Sequence, residues 1–470
     1  MAVLCLGLAA SNLVRFSPLP AIAVLACARA PCVLAAAGWW WGSHRLDALD
    51  RSVLLPHVGE GGLALVETEE PPRVGRFDVR IRARVLRWGT LHPNESVLLK
   101  FRAGHAPRQG TRLSVIGFLG TPSAAQATWL HRQGIQVVLR VKESRRLGRR
   151  GGFGGVGDRL QQWLTVDSAL GLRGERRDVV DAIILGQARG LDASLLDRFR
   201  ASGLYHCLAV DGLKVATVAG GALALFRRRR MAGQLAALAA VAAYTLAVGF
   251  HPSVIRAAVA AALGSLAWLA ARERDRWHAL FIGALVLLAW NPMFVFDAGF
   301  QLSFAAVAAI FVVTPRVVHW LAGYPVPRGL AQLIGVSTAC GLATAPVTWL
   351  QFHQISLVTV PANVVAVPVV AEMLVLALVT ALIAPVVPGL AAALAQVDGW
   401  GAWFVAGCAR FFGGLPGAQA TSWSGAAVVA AGVLGVAAYA CRDGRERAEA
   451  GLPSLWKRPA EDRPRAAPPA

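Results

Sequence analysis

The sequence predicts a polytopic α-helical membrane protein that carries a small extramembrane β-barrel domain near its N-terminus. Hydrophobic residues make up 56% of the 470-residue chain and charged residues only 16%, well below the roughly 25% charged residues of soluble domains. Apolar stretches of about twenty residues, long enough to cross a bilayer as helices, recur between Cys207 and Ala440. Between residues 51 and 150, shorter alternating segments replace these runs.

The charge balance is strongly basic. The formal net charge is +20, and only four of the 47 basic residues are lysines. An excess of this size favours polyanionic partners such as nucleic acid, anionic lipid headgroups or acidic polymers. A genome rich in arginine codons is the alternative explanation. The seven cysteines contain no CxxC pair, so free thiols are expected and no disulfide framework.

The N-terminal 42 residues form the first element. They are apolar but interrupted by Arg15, Pro18, Pro20, Arg29 and Pro31. This pattern predicts short membrane segments rather than a cleavable signal peptide.

Residues 51–145 are predicted to form the β domain. In the segment from Phe77 to Val85, apolar residues at odd positions alternate with charged residues at even positions, as expected of a half-buried strand. Further strands are expected at 97–102, 112–119 and 135–141. Four or five antiparallel strands in about a hundred residues fit a small barrel of the OB type.

This β domain is the predicted DNA-binding part of the chain. Between Arg76 and Arg150, sixteen basic residues stand against three acidic ones, with Phe101, Trp88 and Trp129 interleaved. Basic grooves with aromatic stacking platforms suit single-stranded nucleic acid. The alternative is a solvated arginine face over an aromatic core. The candidate contacts are Arg80, Arg82, Arg84, Lys100 and Arg102.

Helical segments follow the β domain. After a Gly/Arg-rich connector at 145–156, amphipathic interfacial helices are expected at 158–204, a transmembrane bundle at 205–441 and a disordered tail at 442–470. Two spans separate the basic clusters at 227–230 and 272–276, so the positive-inside rule places both in the cytoplasm and the β domain outside. Spans are predicted near 207–226, 231–249, 252–271, 277–290, 298–314, 330–350, 357–384, 388–412 and 423–441.

Polar residues within the predicted spans are unfavourable in lipid, so they are expected to face the interior of the bundle. They are therefore the candidate lining of a path through the membrane. Asp211 and Lys214 would share a face of a continuous helix and neutralise each other. Arg256 is interpreted as a phosphate contact or as a side chain that snorkels to the interface. Asn363, between Pro361 and Pro368, suggests a broken or re-entrant helix. The candidate path residues are His206, Asp211, Lys214, Arg256, Gln301 and Asn363, with Gln301 and Ser303 expected to satisfy one another.

Several motifs resemble those of the ComEC competence channel family. The segment from Gly203 to Val215 resembles the family signature H-L-L-A-I-S-G-L-H-V, although Asp211 and Lys214 stand where relatives usually have Ser and His. Pro252–Ala257 resembles the family element in which a proline precedes an Arg-Ala pair, and residues 299–304 repeat the G-F-Q-L-S-F run. Pro361, Asn363 and Pro368 resemble its P-x-N…P segment. The resemblance covers roughly residues 76–440.

The resemblance implies a multi-pass channel of the bacterial cytoplasmic membrane for uptake of single-stranded transforming DNA. The OB-like domain would bind the incoming strand. Expected partners are the lipid bilayer, an extracytoplasmic DNA receptor and a cytoplasmic motor or single-strand-binding proteins; a homo-oligomer remains open. The chain ends soon after the bundle, without the metallo-β-lactamase-like domain of many relatives. We therefore expect no enzyme activity, no cofactor and no metal. The alternatives are a transporter of lipid or acidic polymer, or a degenerate, non-conducting relative.

Overall fold

The computed structural model describes residues 1–13, 30–75, 77–102, 104, 107–186, 188, 190–210, 212–249, 252–269, 276–423, 427, 431–432 and 435. Asp211, most of the predicted span at 423–441 and the tail at 442–470 lie outside the described residues. In the part of the chain that is described, a β-barrel joins a bundle of helices.

The strands are β1 (Gly61–Thr68), β2 (Arg73–Val74), β3 (Asp78–Trp88), β4 (Glu95–Arg102), β5 (Thr111–Gly120) and β6 (Val138–Arg149). Five of them, β1 and β3 to β6, close into the barrel. Strand β1 pairs with both β3 and β5, and a short parallel pairing joins β4 to β6, while β2 adds to the edge of β3. This closed arrangement confirms the predicted OB-like barrel.

The alternating pattern of β3 is confirmed. Val79, Ile81, Ala83 and Val85 are at most 1% exposed and pack in the barrel core, because successive side chains of a strand point to opposite faces. β1 was not among the strands expected from sequence. β6 continues to Arg149, so the expected connector at 145–156 is partly strand.

Among the described residues, α1 (Ala2–Ala10) and α2 (Ala30–Asp50) precede the barrel, and α3 (Ala124–Arg132) connects β5 to β6. The remaining helices follow the barrel. They are α4 (Gly152–Asp167), α5 (Gly174–Leu185), α6 (Ala193–Ala201), α7 (Tyr205–Leu208), α8 (Gly212–Leu225), α9 (Arg230–Val248), α10 (Pro252–Leu269), α11 (Arg276–Trp290), α12 (Ala298–Val312), α13 (Thr314–Leu321), α14 (Arg328–Phe352), α15 (Thr359–Ile383) and α16 (Pro388–Gly414).

The lengths of these helices fit a membrane protein. Within the described residues, α9, α14 and α15 are each long and apolar enough to cross a bilayer, and α12 with α13 forms a fourth candidate bent by 42°. Shorter apolar helices lie at Gly212–Leu225, Ser253–Ser265 and Arg276–Trp290. The chain is therefore a polytopic α-helical membrane protein with an appended barrel.

The helices of the bundle are not interrupted where the proline motif predicted a break. The expected broken helix around Pro361 and Pro368 is wrong, because α15 runs without a break from Thr359 to Ile383. Pro361 lies in the first turn, where its missing N–H has no helical acceptor. The chain instead leaves the helical conformation at Ala209, which is extended, between α7 and α8.

The barrel is fixed to the bundle through α3. The Arg132 guanidinium lies 5.1 Å from the Phe296 ring, and the Asn291 amide donates to the Arg132 carbonyl oxygen at 3.0 Å. From the N-terminal helices, Trp41 donates to the Ala289 carbonyl oxygen at 3.0 Å. These contacts set the barrel against the end of α11 and the short 3₁₀ turn that follows it.

Candidate functional site

The outward face of β3 and β4 carries four of the predicted DNA contacts, which we call the arginine ladder: Arg80, Arg82, Arg84 and Lys100. Each of these four cations pairs with one of two carboxylates, so that every carboxylate is shared by two cations. Asp78 Oδ2 lies 3.0 Å from both Arg80 Nε and Lys100 Nζ. Glu69 lies 3.3 Å from Arg82 Nε and 2.7 Å from Arg84 Nη2. The ladder is therefore a network of ion pairs.

The ionisation of Asp78 reflects this network. Burial by itself would raise the pKa of its carboxyl group, but hydrogen bonds and charges from Arg80 and Lys100 outweigh burial and lower the pKa. Asp78 thus remains ionised and holds its two cations. Arg102, the fifth predicted contact, is opposite Asp78 in the strand register and is exposed.

Two of the aromatic residues expected as stacking platforms belong to the barrel core. Trp88 is 5% exposed and Phe101 is 4% exposed, so neither ring can stack on a base. Trp129 is 46% exposed and lies under the Arg73 guanidinium. Phe118, which the sequence reasoning missed, is 42% exposed and lies 4.8 Å below the Lys142 ammonium.

A second basic surface lies between the barrel and α4. This cleft, which we call the arginine cleft, has a volume of about 390 Å³ and is lined by six arginines and one carboxylate, Asp158. The loop before β5 and the end of β6 form one wall, and α4 forms the other. The six arginines are Arg108, Arg146, Arg149, Arg150, Arg159 and Arg177.

Lys214 occupies the interruption between α7 and α8. It is 2% exposed, and its ammonium donates to the carbonyl oxygens of Cys207 at 2.9 Å and Ala209 at 2.7 Å. These carbonyls have lost their helical partners at the end of α7. The predicted pairing of Lys214 with Asp211 lies outside the described residues, because Asp211 is not among them.

His206 is exposed beside this interruption. Its Nδ1 donates to the Gly203 carbonyl oxygen at 2.9 Å, and its Nε2 lies 3.5 Å from Cys207 Sγ. A cavity of about 20 Å³ lies between His206, Lys214 and Val367 and Val370 of α15. This volume is close to that of a single water molecule.

Arg256 of α10 lies on the other side of the interruption. Its Nε donates to Ser303 Oγ at 2.7 Å, and its guanidinium is 5.9 Å from the Phe304 ring. A Cβ on Gly212 would lie 3.3 Å from its Nη2. The hydroxyl of Ser253, in the same helix, donates to the Val210 carbonyl oxygen at 2.7 Å. The structure thus brings His206, Lys214 and Arg256 around one interruption.

Gln301 and Asn363 have separate environments. Gln301 Nε2 donates to the Val295 carbonyl oxygen at 2.8 Å, and its Oε1 accepts from Gln351 at 3.3 Å. The expected pairing with Ser303 is wrong, because residues two apart on a helix do not face each other. Asn363 is 5% exposed, and its Oδ1 accepts no hydrogen bond from the described residues.

Two acidic residues in the bundle escaped the sequence analysis. Asp398 of α16 is 1% exposed, and neither carboxylate oxygen has a hydrogen-bond partner among the described residues. Glu372 lies midway along α15 on an exposed face that also carries Val365 and Val375. A search for acidic residues inside predicted spans would have found both.

The described residues contain no group of three or more His, Cys, Asp or Glu side chains arranged to hold a metal ion. Cys5, Cys207, Cys340 and Cys408 are free thiols.

Apolar helices, a basic OB-like barrel and cations held at a broken helix define a polytopic membrane protein with an extramembrane barrel. Residues 183–445, more than half of the 470 residues, match the competence protein family, and the chain belongs to that family. The broken helix and the Arg256–Ser303 contact both lie in the matched region.

Two curated relatives are similar over part of the chain. ComE operon protein 3 of Bacillus subtilis (strain 168) is 31% identical over 196 residues, which are 40% of this chain and 24% of that protein. Uncharacterized protein YcaI of Escherichia coli (strain K12) is 27% identical over 253 residues, which are 48% of this chain and 31% of that protein. The match spans less than a third of either relative. No solved structure matches the chain.

Proposed function

We propose that this chain conducts single-stranded transforming DNA across the bacterial cytoplasmic membrane, with its OB-like barrel outside and bound to the incoming strand. The convergence of Lys214 and Arg256 at the interrupted helix carries this proposal. Membership of the competence protein family supports a role in DNA uptake.

The physical requirements of such a path explain the arrangement. A phosphodiester chain needs cations to offset its charge and hydrogen-bond donors to replace water. Non-helical backbone at membrane depth is tolerated where protein or water satisfies it. The break after Leu208 supplies such backbone, with a buried ammonium on its carbonyl oxygens and a guanidinium beside Gly212.

Energy and delivery would come from other proteins. The sequence has no GxxxxGK[ST] motif, so ATP-driven pulling requires a cytoplasmic partner. We propose a DNA receptor outside the membrane and a motor or single-strand-binding protein inside it. We assign no catalytic step to this chain.

The test is uptake of labelled duplex DNA into a nuclease-resistant cytoplasmic pool. A competent strain that lacks its own channel would be complemented with this chain, and rescue is the expected result. Arg256→Gln should reduce uptake at least tenfold, with partial recovery in Arg256→Lys. Arg276→Gln is the matched control, because Arg276 also lies over a phenylalanine ring but at the exposed start of α11. Membrane levels of each variant would be measured in parallel.

A non-conducting relative is the second candidate, favoured by the cavity of about 20 Å³ beside Lys214. Normal membrane insertion without rescue would contradict the channel and favour this candidate. Equal uptake by the Arg256 and Arg276 variants would leave the channel standing but remove Arg256 from its path.

A further inference from the structure

The arginine cleft contains cations that pair with no carboxylate of the part of the chain that the structure describes. Asp158 is the only acidic residue of its lining, and it pairs with Arg150 and accepts from Gln109 Nε2 at 3.0 Å. Arg177 lies 3.7 Å from Asp181. The other four arginines make no ion pair with the described residues: Arg108, Arg146, Arg149 and Arg159.

The cleft has a defined shape. The pair between Arg150 and Asp158 ties the end of β6 to α4, and Gly110 has a φ of +71° with no room for a Cβ, which would lie 2.1 Å from Asp158 Oδ2. On its far side, α4 packs so closely on α9 that a Cβ at Gly157 would lie 2.5 Å from the Leu246 carbonyl oxygen. The cleft is therefore held open at the junction of the barrel and the bundle.

The basic surface continues from the cleft along β6. Only residues 138–140 of β6 pair with β4, so its outer half forms a free edge of the barrel. Lys142 and Arg145 are exposed on this outer half, with the Phe118 ring under Lys142, and Arg140 is exposed just before it. At about 3.3 Å per residue, the distance from Arg140 to Arg149 is about 30 Å.

We propose that the phosphodiesters of an incoming single strand bind in the arginine cleft and along the outer half of β6, and not on the arginine ladder. The identity of the strand rests on the proposed function. The guanidinium fork binds phosphate oxygens through two parallel hydrogen bonds. A row of cations with an adjacent exposed aromatic ring fits a linear polyanion that stacks its bases. A lipid headgroup would use one end of this row only.

The test measures binding of a fluorescent oligothymidylate to the full chain in detergent over a range of salt concentrations. Arg146→Gln with Arg149→Gln should weaken binding at least tenfold and reduce the slope of log K against log salt by about 1.4, at about 0.7 per lost phosphate contact. Arg80→Gln with Arg84→Gln removes the same charge from the same barrel and should change affinity less than twofold. Arg146→Lys with Arg149→Lys keeps the charge and should give an intermediate loss.

Equal losses in the cleft and ladder variants, or a loss in the ladder variant alone, would overturn the assignment while leaving DNA binding itself intact. Failure of the wild-type chain to bind the oligonucleotide would count against the proposed function as well. If vesicles containing anionic lipid then bound through Arg146 and Arg149, the cleft would be a headgroup site and the proposal would be wrong. Both arginines are exposed, so the variants should fold; barrel hydrogen exchange checks this.

Discussion

The arginine ladder and the arginine cleft are built from the same type of side chain on the same barrel, but they differ in what surrounds it. On the ladder, Glu69 and Asp78 hold four cations within 3.3 Å. In the cleft, the one lining carboxylate, Asp158, holds Arg150. The difference teaches that the density of basic residues in a sequence does not measure the charge available to a ligand.

The carboxylates that pair with the ladder cations are distant from them in sequence, and strand pairing brings the two together. Glu69 lies in the turn after β1 and reaches Arg84, fifteen positions further on, because β1 and β3 are paired. Exposed ion pairs contribute only about 0.2–1 kcal/mol each to stability. Their consequence here is for binding, because a guanidinium that already has a carboxylate must give it up to bind a phosphate.

The largest effect is predicted for a substitution that closes or distorts the arginine cleft without removing any charge. Gly157→Ala places a Cβ against the Leu246 carbonyl oxygen, and this overpacking should cost about 1–3 kcal/mol and weaken oligonucleotide binding severalfold. Helix propensity alone would favour alanine. Gly221→Ala is the control, because its Cβ would meet no atom within 4 Å. Thermal unfolding of the full chain would measure the difference, and identical shifts would contradict it.

A gain of binding on the ladder is the next effect. Glu69→Gln releases Arg82 and Arg84, so oligonucleotide affinity at low salt should rise about threefold and the salt slope should steepen by about 1.4 if both bind phosphate. Glu60→Gln removes the same charge from the barrel but frees only His57. If the two variants bind equally, net charge rather than released arginines explains the gain.

A smaller effect concerns the stability of the ladder. Because the pKa of Asp78 is lowered in the folded protein, its contribution is present above the unfolded value of about 3.9 and is lost as pH falls through the lower folded value. Asp78→Asn should therefore lower stability by about 1 kcal/mol or less near neutral pH. The difference should vanish in strong acid. Thermal unfolding across this range tests it, and a difference independent of pH would contradict it.

The smallest predicted effect couples the cleft to pH. Burial raises the pKa of Asp181 to about 6, against the opposing charge of Arg177. Above that value the carboxylate is ionised and attracts Arg177, which lines the cleft. Below it, Arg177 is released, and strand binding should strengthen by less than twofold. Asp181→Asn should remove this component of the pH dependence, and an unchanged profile would show that other groups cause it.

In the bundle, the predicted spans at 231–249, 330–350 and 357–384 coincide with the helices α9, α14 and α15, but the sequence did not indicate where the helices are continuous. The residues around Pro361 and Pro368 fold as one helix. Pro361 lies in the first turn and has no helical hydrogen bond to lose, whereas α15 continues through Pro368 although its ring nitrogen cannot donate a helical hydrogen bond. The break after Leu208 has no proline, and Lys214 satisfies its carbonyl oxygens. The partner of Arg256 was equally hidden, since Ser303 lies 47 positions away.

The sequence by itself determined that the chain is a polytopic membrane protein, which face of β3 packs in the barrel core, and the motifs of the competence protein family. These features depend on local periodicity and on short runs of residues, which a single chain displays directly. Only the tertiary structure decided which cations pair with a carboxylate, where the helix breaks and that α4 meets the barrel in a cleft. Those outcomes depend on contacts between residues far apart in sequence, and such contacts exist only after the strands and helices have packed.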